Sequence, residues 1–546
     1  MRQYPRFPSR NVHSLDGLWN FSFRTDVAME EVDVSAVEAD DKTAVPGCFD
    51  TSPDHYGKHG LGLYVRDVDI EADGRYRIRF DGLGLYARVY WDGAPVAECR
   101  LPYSTFEVDL VAARGTHRLA VLAGNCYWEK EWSPLYRTGD DYYAFGGIYR
   151  SVTIERLPDG PFLERVQVFT ADLAKRTVRL RFLFGGAVAD GPAEAVLAVP
   201  GGQVWSPASP RLHTLTAAFR GDAVVERFGL RTIATSGETI LLNGEKIYLQ
   251  GFNRHESHPE FGPVQTDQLM LDDLKWLRDI GANYIRAVHY QQDPRFLELC
   301  DELGFLVWEE SAGWGVGVER LAAPWFAPIV VEQNRRMIRS GINNPCVIFW
   351  SFLNEAANDE PGAVPLYETA VAEIRREDPS RLVSYCNWMN QAQARCLELC
   401  DVISYHMYPG WFGGAPERDL PASATIPKAV ADSARDAGAR DCCRGKPAIV
   451  SEIGACGIYG MHDRDLAQWT EEFEADYDSV AVDSILATPR FTGFTIWQFI
   501  DSKSYTRGSA IRSKTRGFNN AGLLDEYRRP KLAYYALRER LRAHRA

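Results

Sequence analysis

The sequence predicts a multidomain chain in which two β-sandwiches precede a closed parallel (β/α)8 TIM barrel. Three observations predict it. The 546 residues exceed what a single hydrophobic core organises, since domains run to roughly 50–250 residues. The first part of the chain alternates apolar and polar residues at period two. From Glu238 onward short apolar runs alternate with longer helical patterns.

The first sandwich is expected over residues 1–156, where LWNFSF, RYRIRF, ARVYWDG and HRLAVLAG each place one strand face on a core, with Gly-containing turns between them. A second set, FLERVQVFTADL, TVRLRFLF, EAVLAV and HTLTAAF, fits a sandwich of immunoglobulin-like size over 157–236. In 237–546 the barrel strands are expected at KIYLQGF, NYIRAVHY, FLVWEE, CVIFWSFLN, LVSYCN, DVISYHMY, PAIVSEIG and FTIWQFID. Helix candidates between them include DQLMLDDLKWLRDI, PRFLELCDEL, PLYETAVAEIRRE and LAQWTEEFEADYDSVAVD, and PKLAYYALRERLR covers the last strand.

Composition narrows the partners. A formal charge of -13, from 61 basic and 74 acidic residues, offers no general attraction to nucleic acid. The N-terminus lacks an apolar signal region, and no stretch reaches the roughly 20 apolar residues that a bilayer requires. A soluble, cytoplasmic chain without membrane partners is the expectation. The 11 Cys are scattered and odd in number, which suits a reducing compartment, and no His or Cys set has zinc-site spacing. Neither a cofactor nor a metal is expected.

Function is expected at the barrel's C-terminal face, where polar residues end apolar strands: His289, Glu309 with Glu310, Asn354 with Glu355, His406 with Tyr408, and Glu452. Glu355 ends the fourth strand and Glu452 the seventh, so they approach one mouth from opposite sides. Two facing carboxylates are the usual equipment for cleaving a glycosidic bond. A gap of about 5–5.5 Å permits direct attack with retention, and about 6.5–9.5 Å admits a water and gives inversion. Spacing in sequence leaves both open. Asn354 can bond a sugar hydroxyl only if the strand ends or bulges there, because neighbours on a strand face opposite ways. Trp497, in FTIWQF, can form an apolar platform under a sugar ring; the alternative is barrel core.

The quoted stretches resemble glycoside hydrolase family 2, the group of β-glucuronidases, β-galactosidases and β-mannosidases. LDGLWNF and FGGIYRSV resemble the opening and close of its sugar-binding sandwich, and NGEKIYLQGFNRHE, NYIRAVHY, FWSFLNE and KPAIVSEIG match its barrel in order. The resemblance implies a jelly-roll-like first sandwich and a retaining exo-β-glycosidase acting on a terminal β-glycoside. It implies Glu355 as acid/base and Glu452 as nucleophile, and a homo-oligomer. Arg254 and His255 match its RHE segment, with a structural ion pair as the alternative for the arginine. His289 matches an active-site His and Tyr408 a Tyr near the nucleophile. Asn519 stands at the Asn of the glucuronidase Asn-x-Lys pair, but Ala521 replaces the Lys; Arg512, Lys514 or Arg516 can supply the missing charge. Glucuronidase-like activity is therefore set beside β-galactosidase, then β-galacturonidase or α-L-arabinopyranosidase. The reading from another class is a non-catalytic carbohydrate-binding protein.

Overall fold

The structure is a computed structural model that describes the chain apart from residues 1, 36–38, 40, 137–141, 187–192, 388–392, 412–420, 506–513 and 546. The N-terminal part forms two antiparallel sheets, one of six strands and one of four. Leu61–Ile70 pairs with Gly115–Gly124 along its whole length. Alternation carries the core here: in Phe106–Ala112, Phe106, Val108 and Ala112 are buried while the residues between them are exposed or half-buried. A smaller pair of sheets follows, with three strands in Phe162–Asp172, Thr177–Gly185 and Glu194–Ala198, and two in His213–Phe219 and Asp222–Phe228. The last of these strands is one that the sequence reading did not mark.

The C-terminal part is an eight-stranded parallel sheet of β1 (Leu249–Arg254), β2 (Tyr284–Ala287), β3 (Leu306–Ser311), β4 (Val347–Phe352), β5 (Leu382–Val383), β6 (Ile403–His406), β7 (Ala448–Glu452) and β8 (Phe491–Ile496). Its ladder runs β5-β4-β3-β2-β1-β8-β7-β6, so the two edges are consecutive strands. Hydrogen bonds join them: Asp401 N donates to Val383 O at 2.9 Å and Ser384 Oγ to Val402 O at 2.8 Å. Every residue of these strands is buried, as a sheet covered on both faces requires. Gly251 in β1 is required by closeness, because a Cβ there would lie 1.9 Å from Tyr284 O on β2.

The helices follow their apolar stripes. Asp267–Ile280 buries Met270, Leu274 and Leu277, is capped by Thr266 accepting from Leu269 N, and ends at Gly281 with φ 97°. Several elements differ from expectation: β8, expected at FTIWQFID, runs Phe491–Ile496, and LVSYCN contributes only Leu382–Val383. KIYLQGF divides into Glu245–Ile247 and β1, the first piece belonging to a small antiparallel sheet that precedes the N-terminal end of β1. The helix expected from Leu466 begins at Glu471, because the Thr470 hydroxyl accepts from Phe473 N and sets its first turn.

The first sandwich is fastened to the barrel beside its mouth. Arg150, fully buried, donates to Glu256 Oε2 at 2.8 Å and to Gln291 O at 2.8 Å, and Tyr103 stacks on Tyr290 with centroids 3.7 Å apart. No helix among the described residues is long and apolar enough to cross a membrane.

Candidate active site

Glu452 is the last residue of β7, and Glu355 lies three residues beyond the end of β4. The chain turns sharply between: Leu353 has φ 53° and Glu355 φ 51°. Left-handed backbone at two non-glycine residues breaks the strand's alternation, so both Asn354 and Glu355 turn toward the mouth. One carboxylate oxygen of each glutamate and a ring nitrogen of His406 lie within 4.8 Å of one another. The two side chains are nearly enclosed, at 6% and 4% exposure, which makes every charge around them count.

Arg286 organises the floor. Rising from β2, it donates to Glu452 Oε1 at 2.7 Å, Asn354 Oδ1 at 2.7 Å, Glu310 Oε2 at 2.9 Å and Asn253 Oδ1 at 3.0 Å. Tyr408 donates to Glu452 Oε2 at 2.6 Å. Burial raises the Glu452 carboxyl above its ordinary value, while Arg286, His289 and the Tyr408 hydrogen bond hold it back. For Glu310, burial acts in the same direction, but Arg286 and His289 outweigh it and keep its carboxyl below the usual range.

His289 places Nδ1 3.1 Å from Glu310 Oε1 and Nε2 4.0 Å from Glu452 Oε1, and stacks on Trp497 with centroids 5.3 Å apart. Trp497 is buried against the histidine that approaches both Glu310 and Glu452. His255 lies edge-on to the same indole at 5.6 Å and meets Tyr290 Oη at 3.2 Å. Burial first, then His289 and Lys514, push its ring well below the usual imidazole value, so it is neutral. Asn354 Nδ2 is buried without a hydrogen-bond partner among the described residues.

Arg254 is placed elsewhere. Its guanidinium is fully buried and taken up by Asp273 at 2.8 Å, Gln265 at 2.7 Å and Gln292 at 2.6 Å, so it braces the helix layer instead of reaching substrate. The ion-pair alternative describes it, with Asp273 as the partner. Asn519 is buried and accepts from Ala521 N at 3.3 Å. Of the three cations considered for the missing lysine, Arg512 lies outside the described residues. Arg516 is half exposed and pairs with Glu526 at 3.0 Å. Lys514 is buried and close enough to add to the lowering of the His255 ring and to oppose the upward push that burial gives the Cys456 thiol.

Arg286 and Asn253 were not singled out from the sequence, whereas Glu310 was, as one of two adjacent acids at the end of β3. A signal for Arg286 was present: NYIRAVHY carries an arginine inside an otherwise apolar strand, and a charge is tolerated there only with buried partners. Glu355, His406 and Glu452 also offer the donor types a metal ion takes, yet the Arg286 guanidinium beside them opposes a second cation.

Comparison with known proteins places this geometry. Residues 233–541 match the description "Glycosyl hydrolases family 2, TIM barrel domain", and residues 12–158 match "Glycosyl hydrolases family 2, sugar binding domain". The chain belongs to glycosyl hydrolase family 2. It is an O-glycosyl hydrolase, and the expectation of a retaining exo-β-glycosidase holds for it as a member of this family. Among solved structures it is similar to the family 2 β-galacturonidase from Eisenbergiella tayi bound to galacturonate, at 31% identity over 99% of both chains and a TM-score of 0.87. It is 27% identical to the β-glucuronidase of Homo sapiens, over 98% of this chain and 92% of that one. The β-galactosidase of Lactococcus lactis is 27% identical over 63% of this chain and 40% of its own length.

Proposed function

We propose that the chain hydrolyses a terminal β-linked hexuronide by double displacement, with Glu355 as acid/base and Glu452 as nucleophile. The observation that carries the chemistry is that one oxygen of each carboxylate lies within 4.8 Å of an oxygen of the other, an approach that suits the about 5–5.5 Å spacing of direct attack better than the about 6.5–9.5 Å of water-mediated inversion. Arg286 and Tyr408 keep Glu452 ionised and aimed. Glu355 protonates the departing oxygen, Glu452 forms the glycosyl ester, and Glu355 then takes a proton from the water that releases the sugar. Asn354 Nδ2 donates to a ring hydroxyl, and Trp497 with His289 forms the wall against the sugar's apolar face.

The acidic sugar is favoured by two features. The whole-length relatives reported above carry β-galacturonidase or β-glucuronidase names, and a buried ammonium, Lys514, lies within electrostatic reach of His255, while Ala521 supplies no charge. Galacturonide is the preferred epimer, since the relative at 31% identity is a galacturonidase and the Asn-x-Lys pair is incomplete here. Turnover of aryl β-galacturonide, β-glucuronide and β-galactoside tests the reading. Lys514→Met should lower kcat/KM on uronides about a hundredfold and leave the galactoside within about twofold, because a buried carboxylate would lose its cation. Equal losses on acidic and neutral sugars would remove Lys514 from recognition. Glu452→Gln should abolish turnover, and Glu355→Gln should lower kcat/KM about 10²–10⁴-fold with poor leaving groups but little with activated aryl groups, whose kcat falls because the second half-reaction loses its base. Uniform losses across leaving groups would contradict the assignment of Glu355.

A further inference from the structure

One ring nitrogen of His406 faces both catalytic candidates. His406 ends β6, and its Nδ1 lies 2.6 Å from Glu355 Oε1 and 3.3 Å from Glu452 Oε2. The side chain is completely enclosed, and Nε2 has no hydrogen-bond partner among the described residues. A bare Nδ1 would point its lone pair at a carboxylate oxygen already ionised against Arg286. A protonated Nδ1 satisfies both neighbours with one donor.

We infer that His406 is a positioning residue whose Nδ1–H is shared between Glu452 and Glu355 and follows the negative charge from one to the other through the two half-reactions. The inference rests on the double displacement proposed above. Before attack the charge is on Glu452 and Glu355 holds the proton on its other oxygen. As the bond from Glu452 to the anomeric carbon forms and the glycosidic bond breaks, the proton of Glu355 goes to the departing oxygen. The charge is then on Glu355, at the shorter of the two contacts. Hydrolysis returns a water proton to Glu355 and the charge to Glu452. His406 keeps its own proton throughout, so atoms and charge balance without another reactant.

A donor of this kind must be neutral and fixed. Burial, with Arg286 and His289 nearby, drives the imidazole well below its ordinary value, so the ring holds a single proton across the working range. The groups that face it are Glu355 beyond β4, Glu452 of β7, Arg286 of β2 and His289 beyond that strand; Tyr408, two residues along its own chain, shares Glu452 Oε2.

Because the N–H stabilises the charged form of each carboxylate, its loss raises both titrations. The acidic limb of kcat/KM, set by Glu452, and the basic limb, set by Glu355, should therefore move up together by about one pH unit in His406→Leu. His406→Asn, which restores a donor at the Nδ1 position, should return both limbs to within about 0.3 unit of the parent. A profile unmoved in His406→Leu, with only its height reduced, would mean a packing role and overturn the inference. Should the leucine variant fail to fold, the unsubstituted enzyme decides. With ¹⁵N-labelled histidine, the ring resonances assigned by their loss in His406→Asn must show Nδ1 protonated both free and after trapping with a 2-fluoro-glycosyl fluoride. An unprotonated Nδ1 in either state would overturn it. Failure of the glycosyl trap itself would refute the double displacement on which the inference rests, whereas a trapped enzyme with an unmoved pH profile in His406→Leu would refute the role of His406 alone, so the two failures are distinct.

Discussion

Arg286 holds more of the site together than any other single side chain, reaching both Glu452 and Glu310 with one guanidinium. Replacement by Met leaves two enclosed carboxylates facing each other without their cation. The Glu452 carboxyl then titrates higher, and because that group must be ionised to attack, the acidic limb of kcat/KM moves to higher pH. Activity in Arg286→Met should fall at least about a hundredfold near neutral pH, with a partial return as pH is raised; pH–rate profiles check it. Residues of this rank were unequally legible. Glu355 and Glu452 could be found because each ends an apolar run at the face where such barrels work. Arg254 also ends a strand, and its neighbourhood of Asp273, Gln265 and Gln292, which draws it outward, comes from three other points of the chain that no local pattern relates to it.

At the scale of elements, helix starts and buried carboxyls make separate predictions. Thr470→Ala removes the side-chain acceptor for Phe473 N and should cost about 1 kcal/mol, read as a lower denaturant midpoint without change in KM. Asp301, buried in Pro294–Leu303, accepts from Cys346 N at 2.9 Å and Asn344 Nδ2 at 2.6 Å, and burial raises its carboxyl to about 7. Its folded value lies above its unfolded value of about 4, so the folded form binds the proton more tightly and stability falls as pH rises between those values. Asp301→Asn cannot ionise. The drop in urea midpoint from pH 5 to pH 7.5 should therefore be smaller in that variant; an equal drop would assign the effect to other groups, such as Asp50.

Element types were readable because the two periodicities differ, two in Phe106–Ala112 and 3.6 in Asp267–Ile280. Starts and breaks were less so. The division of KIYLQGF depends on Glu245–Ile247 pairing with Thr239–Leu242, and the onset at Glu471 depends on where one hydroxyl turns. Both are decided by hydrogen bonds that composition does not encode.

Across the whole molecule, the first sandwich and the barrel meet through a charge buried between them. Arg150 and Glu256 are each enclosed, and Glu256 follows His255 directly, so the same contact that joins two domains steadies one wall of the pocket. Arg150→Met should cost about 3–5 kcal/mol of stability by leaving Glu256 unpaired, and should raise KM more than it lowers kcat, since the altered wall binds substrate without moving the carboxylates. Thermal unfolding and steady-state kinetics on the same preparation check both parts. The order of sandwich, sandwich and barrel was visible from patterns along the chain. This fastening was not, because it joins Arg150 to residues more than a hundred positions away.

Double displacement requires a covalent bond to form at Glu452. Incubation with an aryl 2-deoxy-2-fluoro-β-galacturonide, followed by intact mass and peptide mapping, should show one sugar added per chain and the added mass on the peptide containing Glu452. Full turnover of the β-linked substrate to an α-configured product, with no adduct or with one on another residue, would contradict it.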